Sequence, residues 1–185
     1  MIIGITGTLG AGKGTIAEYL VKQKGFKHYS ARDFITEEIK KRGLSVERDN
    51  LVMVANDLRA KYGSAYVIEE LYKQAFADGG DGVIESIRTI GEVETMKGKK
   101  DFYLLAIDAE IKSRYERIKK RASVTDVVTF EEFAEQEKRE MSSTDPNKQN
   151  LAECIRQADY LITNDGAVED LNKKIEEILQ AIINK

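Results

Sequence analysis

The chain opens with Met1-Ile2-Ile3-Gly4-Ile5-Thr6-Gly7-Thr8-Leu9-Gly10-Ala11-Gly12-Lys13-Gly14-Thr15, and this segment decides the fold. Its isoleucines predict a short strand that is buried on both faces, and the apolar residues beyond Thr15 recur at helical spacing. The pattern Gly7-x-x-x-x-Gly12-Lys13 lies between the strand and the helix. In such a loop the backbone N–H groups and the helix N-terminus surround one anion, and the lysine adds a positive charge for the β- and γ-phosphates. The segment therefore predicts a phosphate-binding loop.

A hydroxyl and a carboxylate near this loop predict a magnesium site. The usual pattern has Ser or Thr directly after the lysine, whereas here Gly14 takes that position and Thr15 follows. Glu85 ends a predicted strand next to the loop, where an acidic residue can hold the water shell of Mg²⁺ opposite Thr15. A solvated glutamate at a strand end is the alternative interpretation of Glu85.

Composition limits the class of protein. The chain has 185 residues, enough for one domain with a sizeable core, and a formal net charge of −3 at pH 7. At that charge neither nucleic acid nor a membrane is an expected partner. The single cysteine, Cys154, excludes an internal disulfide, no apolar run reaches membrane-spanning length, and the N-terminal apolar stretch is too short for a signal peptide. We expect a cytoplasmic protein, and the sequence leaves its oligomeric state open.

Short apolar segments alternate with helical patterns and predict an α/β fold. Strands are predicted at residues 2–5, 26–30, 82–87, 102–107 and 160–163. Such strands form a five-stranded parallel sheet with helices on both faces, and ligands bind at the carboxyl ends of the strands. Two consecutive helices at about 31–80 interrupt the alternation and predict a helical flap, and a polar segment at about 121–150 predicts a short lid.

Three side chains are candidates for binding a second, acceptor ligand. Arg88 follows the third predicted strand, where its planar guanidinium can form two hydrogen bonds to a phosphate. Arg59 lies on the polar side of a flap helix and is a second candidate for that anion, with a solvated surface charge as the alternative. Asp33 either closes a capping box with Ser30 or faces the acceptor group.

A basic helix is predicted at about 110–121. Its apolar stripe, expected to face the core, comprises Ile111, Tyr115, Ile118 and Ala122. A second stripe, about a quarter of a turn away, comprises Arg114, Arg117 and Arg121. Arginines placed in this way stabilise the charge of a transferring phosphoryl group, whereas the alternative is a solvated face. Arg139, beyond the polar loop, is a candidate to close the site from the other side.

These motifs resemble the nucleoside monophosphate kinase and dephospho-coenzyme A kinase group of P-loop kinases over nearly the whole chain. The loop Gly7–Thr15 resembles that of adenylate kinases, and Ser30-Ala-Arg-Asp33 stands at the position of their acceptor-side motif. Glu85-Ser-Ile-Arg88-Thr89 resembles their acidic-then-arginine motif. The resemblance implies a three-layer P-loop kinase domain over residues 1–185, with an acceptor-binding flap and a lid.

The resemblance also implies roles for individual residues. Arg88 grips the acceptor phosphate, while Arg117 and Arg121 match the lid arginines, of which the first lies against the donor adenine. The segment Ala158–Gly166 resembles the closing segment of dephospho-coenzyme A kinases, in which the loop borders the adenine. The residues implied in ATP binding are Gly10, Ala11, Gly12, Lys13, Gly14, Thr15, Arg117, Asn164 and Gly166. The chain is also similar to archaeal adenylate kinase-related proteins and to the kinase-like part of some deoxycytidylate deaminases.

We therefore expect a Mg²⁺-dependent phosphotransferase that moves the γ-phosphate of ATP to a (deoxy)nucleoside monophosphate. The expected catalytic residues are Lys13, Arg88, Arg117 and Arg121, with Arg114 as a candidate to join them. Adenylate kinases usually carry an arginine where this chain has Thr36, and the lid lacks zinc-type cysteines. Both departures argue against AMP as the acceptor, and the deaminase similarity favours a pyrimidine deoxynucleotide.

Two other functions remain open at this point. In a dephospho-coenzyme A kinase the acceptor is a ribose hydroxyl, and Asp33 would act as general base. A non-catalytic, ATP-binding regulatory module would bind the nucleotide and transfer nothing. Asn147-Lys-Gln-Asn150 lacks the final acid of a guanine-specific signature, which argues against a GTPase.

Overall fold

The computed structural model describes residues 1–121, 128–145 and 148–184. The strands in it are β1 (Ile2–Gly7), β2 (Lys27–Ser30), β3 (Gly82–Glu85), β4 (Phe102–Asp108) and β5 (Tyr160–Thr163). The helices before β4 are α1 (Lys13–Lys24), α2 (Ala31–Lys41), α3 (Arg48–Tyr62), α4 (Tyr66–Asp78) and α5 (Ile90–Lys97). Those after β4 are α6 (Ile111–Arg121), α7 (Phe130–Met141), α8 (Leu151–Arg156) and α9 (Val168–Ile183).

The sheet is parallel and has the strand order β2-β3-β1-β4-β5. This arrangement confirms the predicted five-stranded sheet. Because β1 is the central strand, the loop that follows it begins in the middle of the carboxyl edge. Glu85 pairs in register with Ile5 across β3 and β1, which places the end of β3 beside that loop.

Alternate side chains of β1 enter two separate hydrophobic layers, as the period of two in a strand requires. Ile2 belongs to the layer that includes residues of α2–α5 and α8. Ile3 and Ile5 belong to the layer formed with α1 and α9. The prediction of burial on both faces holds for the central strands, whereas residues of the edge strands β2 and β5, such as Leu161 at 59% exposure, reach solvent.

Three helices, α2, α3 and α4, lie between β2 and β3 in the region of the predicted flap. Buried residues from all three helices pack into the layer that contains Ile2, including Ile39, Val54 and Leu71. This packing ties the helices to the sheet edge formed by β2 and β3.

The third strand is shorter than the predicted 82–87. It ends at Glu85 because Ser86 has a φ of 73°, which turns the backbone out of the strand. The turn carries Arg88 to the carboxyl edge of the sheet. The short helix α8, which contains the buried Cys154, has no counterpart among the predicted elements.

The region predicted as a lid is described in part. Helix α7 begins at a capping box, in which the Thr129 and Glu132 side chains accept hydrogen bonds from each other's backbone N–H groups. Part of the predicted lid lies outside the described residues, namely 122–127, Pro146 and Asn147. The first of these ranges includes Ala122 of the predicted apolar stripe. Among the described helices, none is both long enough and apolar enough to cross a membrane.

Candidate active site

A cavity of about 870 Å³ lies at the carboxyl edge of the sheet. It is bounded by the loop after β1, by α2 and α3, by the turn after β3, by α6 and by the loop after β5. The predicted site residues that line it are Gly10, Gly12, Lys13, Gly14, Thr15, Arg59, Glu85, Arg88, Arg117, Arg121, Asn164 and Gly166. Residues more than 150 positions apart in the chain therefore share one cavity, as parallel strands that end at one edge allow.

Three predicted site residues do not line this cavity. Ala11 is fully buried, and it contributes its carbonyl oxygen to contacts beneath the loop. Asp33 is exposed on the first turn of α2, where its backbone N–H donates to the Ser30 hydroxyl at 3.1 Å. The Arg139 side chain is 75% exposed and lies 3.5 Å from Glu135, because the opposite face of α7 packs inward.

The glycines of the loop are required by its backbone. Gly10 has a φ of 79° and Gly12, the N-cap of α1, has a φ of 117°. A Cβ on Gly10 would lie 2.6 Å from the Arg114 carbonyl oxygen, and one on Gly12 would lie 2.7 Å from Asn164 Nδ2. Both the positive φ and the close approach exclude side chains here. The backbone conformation of the loop therefore depends on glycine at these two positions.

The Lys13 amine is held at the mouth of the loop. Its Nζ donates to the carbonyl oxygens of Gly7 and Thr8, each at 2.8 Å. Burial, and then the positive charge of Arg88, lower the pKa of the Lys13 amine to about 7. The amine is therefore close to half-charged at neutral pH, and a bound polyphosphate would restore its charge.

We expect ATP binding to be coupled to proton uptake by Lys13. Before binding, the amine loses its proton as the pH rises through about 7. The nucleotide anion raises that pKa, so the ATP affinity weakens as the pH rises above about 7, by at most about tenfold per pH unit, and binding at pH 8 is accompanied by proton uptake. Calorimetric titration with ATP and EDTA, in two buffers of different ionisation enthalpy, measures this uptake.

The matched control for this titration is Lys13→Arg, because arginine keeps its charge throughout the range. Its ATP affinity should show no comparable pH dependence, and proton uptake should disappear. Zero uptake by the unaltered protein at pH 8 would show that Lys13 is fully charged before the nucleotide binds.

Glu85 and Thr15 are the residues suited to a magnesium ion. Both line the cavity, and His28 Nε2 lies 3.5 Å from Glu85 Oε1. The hydrogen bond from His28 lowers the pKa of the Glu85 carboxyl and raises that of His28, so the carboxylate stays ionised. No group of three or more acidic, histidine or cysteine residues within the described ranges forms a metal site by itself. The Thr15 hydroxyl and the Glu85 carboxylate nevertheless fit Mg²⁺, because this ion keeps several water ligands and takes others from nucleotide phosphates.

Arg117 and Asn164 join α6 to the loop after β5. Asn164 Nδ2 donates to the Ala11 carbonyl oxygen at 2.7 Å, and Arg117 Nη2 donates to the Asn164 carbonyl oxygen at the same distance. Asn164 is 8% exposed, and it also lines the cavity with Gly166. The two side chains thus form the wall beside the phosphate loop on which the resemblance places the adenine.

The expectation that Arg114 shares the active-site stripe with Arg117 and Arg121 is wrong. Arg114 is 4% exposed and does not line the cavity. Its Nε donates to the Ala109 carbonyl oxygen at 2.7 Å and its Nη1 to that of Leu9 at 3.2 Å, while both Nη atoms bond Glu137. A guanidinium can be buried when its donors are satisfied in this way, so the inward face of α6 includes an arginine.

Several residues that line or support the cavity carry no sequence prediction. Arg88 Nη1 donates to Gln149 Oε1 at 3.1 Å and lies 3.8 Å from Glu140 of α7. Arg32, within the quoted acceptor-side motif, also lines the cavity. Gln149 and Glu140 have no local signal, because only the folding of α7 and the following segment brings them to Arg88.

Arg59 reaches the cavity wall but its guanidinium is paired. It is 7% exposed, and its Nη2 lies 3.3 Å from Glu92 Oε1, a carboxylate that is itself 1% exposed. The alternative of a solvated surface charge is therefore wrong. The pattern Thr89-x-x-Glu92 is a capping-box signal from which Glu92 could have been found.

Comparisons with known proteins support the P-loop kinase fold. Shikimate kinase from Bacteroides thetaiotaomicron has a similar structure, with a TM-score of 0.60 at 15% identity over 97% of this chain and 98% of that one. Deoxyadenosine kinase from M. mycoides, solved with the products dCMP and dCDP, has a TM-score of 0.57 at 17% identity over 98% of this chain and 100% of that one. At 15–17% identity these two similarities confirm the predicted fold class and nothing finer.

Sequence comparisons identify the family. A protein-family sequence model described as "AAA domain" matches residues 3–142 of the chain. The UPF0200 protein MJ1399 of Methanocaldococcus jannaschii is 31% identical over 100% of this chain and 91% of its own length. The chain therefore belongs to the AAA domain family and to the UPF0200 family.

Proposed function

We propose that the protein is a Mg²⁺-dependent phosphotransferase that moves the γ-phosphate of ATP to a (deoxy)nucleoside monophosphate. The observation that carries this proposal is the convergence of Lys13, Arg88, Arg117 and Arg121 on one cavity from three separate segments of the chain. Two anionic ligands that meet there need such positive charge, because phosphoryl transfer brings their oxygens together.

The donor half of the cavity would hold ATP. The N–H groups at the start of α1 would bind the β- and γ-phosphates, and Lys13 would exchange its carbonyl acceptors for phosphate oxygens. Thr15 and Glu85 would hold Mg²⁺, partly through water, and the ion would neutralise charge on the phosphates. The loop around Asn164 and Gly166, together with Arg117, would border the adenine.

The acceptor half has a charged end and an apolar end. Arg88 would bind the acceptor phosphate, and one phosphate oxygen would attack the γ-phosphorus while ADP leaves. Apolar side chains from α2 and α3 line the cavity beyond it and offer a surface for a nucleobase: Ala31, Ile35, Leu51, Val52 and Ala55. This lining supports a nucleoside monophosphate as the acceptor.

The position of Asp33 favours a phosphate acceptor over a hydroxyl acceptor. A hydroxyl needs a general base, whereas an acceptor phosphate is already an anionic nucleophile. Asp33, the base required by the dephospho-coenzyme A kinase alternative, is exposed and does not line the cavity.

The test is an acceptor screen with ATP and Mg²⁺. Ribo- and deoxynucleoside monophosphates of all bases and dephospho-coenzyme A are incubated with the protein, and ADP formation and product are measured. We expect a nucleoside diphosphate or deoxynucleoside diphosphate as product. If only dephospho-coenzyme A is phosphorylated, the proposed function is wrong and the protein is a dephospho-coenzyme A kinase. If ATP binds and no phosphate is transferred, the protein is a non-catalytic regulatory module.

Replacing Arg88 with lysine is expected to raise the KM for the acceptor about 10- to 100-fold. The loss corresponds to roughly 1.5–3 kcal/mol for charge-assisted hydrogen bonds that a lysine cannot duplicate in two-point geometry. The Kd for ATP should stay near its original value, because Arg88 belongs to the acceptor half. Steady-state kinetics with the acceptor from the screen measures the change.

The control for this substitution is Arg156→Lys. Arg156 is exposed on α8 and bonds Glu153, and it does not line the cavity. If Arg88→Lys and Arg156→Lys gave the same acceptor KM, Arg88 would not bind the acceptor phosphate.

A further inference from the structure

The Glu92 carboxylate connects two parts of the acceptor side. Its Oε1 accepts hydrogen bonds from Arg59 Nε at 3.4 Å and Nη2 at 3.3 Å. Its Oε2 accepts from the backbone N–H groups of Arg88 at 2.7 Å and Thr89 at 3.0 Å. Arg59 belongs to α3, whereas Arg88 and Thr89 form the turn between β3 and α5. One buried carboxylate thus holds both.

Helix capping by itself does not require this arrangement. The same chain contains a second capping box at the start of α7, in which Glu132 accepts from the Thr129 N–H at 2.8 Å. Glu132 is exposed, while Glu92 is 1% exposed. A capping box therefore forms here without burial and with one backbone donor. Burial, the arginine and the second backbone bond are additional features of Glu92.

The backbone around Arg88 is held from several sides. The Ile87 N–H donates to the Ile5 carbonyl oxygen at 3.1 Å, and the Ile87 carbonyl oxygen accepts from Thr6 Oγ1 at 2.8 Å. The Arg88 carbonyl oxygen accepts from the Asn150 N–H at 2.8 Å. These bonds attach the turn to β1 and to the start of α8. Glu92 is the group that attaches it to the flap helix α3.

Burial makes the link between Arg59 and Glu92 sensitive to the position of α3. Two charges taken out of water are stable only when their partners stay in place. A shift of α3 that moved Arg59 away would leave the Glu92 carboxylate buried without its counter-ion. The carboxylate would then turn towards water, and it would bind the Arg88 and Thr89 N–H groups less well.

We propose that Glu92 is a positioning residue that joins α3 to the backbone of Arg88, so that binding of the acceptor phosphate depends on the position of α3. The inference rests on the proposed function for its account of Arg88, and it assigns Arg59 to holding Glu92. Arg59 then affects the acceptor through the turn after β3.

The experiment compares Arg59→Gln, Glu92→Gln and the double variant with the capping-box control Glu132→Gln. Circular dichroism first verifies folding, and Arg59→Lys, which keeps the charge, is used if Arg59→Gln does not fold. Each of the first two substitutions should raise the acceptor KM at least tenfold, leave the ATP Kd within twofold, and speed amide hydrogen exchange at Arg88 at least tenfold. The double variant should be no worse than either single variant, because the two residues act as a unit.

The exchange measurement separates this inference from the proposed function. If the unaltered protein phosphorylates no acceptor, the proposed function fails, yet exchange at Arg88 and Thr89 still reports whether Arg59 controls this turn. Unchanged exchange at Arg88 in a folded Arg59 variant would overturn the inference. Equal effects of Glu132→Gln, or additive effects in the double variant, would overturn it as well.

Discussion

Replacing Lys13 with alanine is expected to lower turnover by about 10²- to 10³-fold, the typical loss when one preorganised donor to a transition-state charge is removed. The amine is buried at the loop and lies within reach of two carbonyl oxygens at 2.8 Å, so its position is defined before any phosphate binds. No other lysine lines the described cavity. The measurement is kcat with the acceptor identified by the screen, at saturating ATP.

The control is Lys22→Ala in the same helix. The Lys22 side chain is 66% exposed, pairs with Glu18 one turn earlier, and does not itself line the cavity. Its removal should leave turnover close to that of the unaltered protein. A Lys13→Ala variant with unaltered turnover would remove Lys13 from the mechanism.

Replacing Arg114 with leucine is expected to lower the free energy of unfolding by about 3–5 kcal/mol, the usual cost of removing one partner of a buried ion pair. The guanidinium is 4% exposed, and Glu137, its partner on α7, is 16% exposed. The Phe133 ring lies 5.7 Å from the guanidinium carbon and covers it on one side. Without Arg114 the Glu137 carboxylate and the Leu9 carbonyl oxygen lose their donors. Urea-induced unfolding, followed by circular dichroism, measures the change.

A second variant distinguishes the effect of the unpaired charge from the effect of lost side-chain packing. When Arg114→Met is combined with Glu137→Leu, the only carboxylate near Arg114 that remains among the described residues is Asp108, 3.7 Å away and 44% exposed, so no buried charge is left without its partner and much of the stability should return. Arg156→Leu, which breaks the exposed pair with Glu153, should change stability little. If the Arg114→Leu protein were as stable as the original, the buried pair would make no net contribution to the free energy of unfolding.

Much of the fold could be predicted from local patterns. The strand Tyr160–Thr163 has the predicted bounds, and the strand that begins at Phe102 extends one residue further than predicted, to Asp108. Strands buried on two faces are recognisable because most residues in them are apolar. The third strand was predicted too long because the sequence does not show that Ser86 would adopt a positive φ.

The site was predictable where a motif places its residues directly. Lys13 and Arg88 follow strands whose carboxyl ends meet at one edge, so their convergence follows from the parallel sheet. The role of Arg114 was not predictable in this way. Helical spacing puts it near Arg117 and Arg121, but its burial depends on Glu137, which α7 brings from a distant part of the chain.

The sequence by itself determined the parallel sheet, the loop after the first strand and the two chain positions from which Lys13 and Arg88 reach the cavity. These features depend on short-range patterns: apolar runs, glycines with a positive φ, and a cap at the start of a helix. Only the tertiary structure decided which charged side chains face the cavity and which are buried in pairs. Arg59 and Arg114 look like solvated or ligand-binding arginines in the sequence, and each is buried because packing brings a carboxylate to it. The physical reason is that a charge can leave water only where partners from elsewhere in the fold satisfy it.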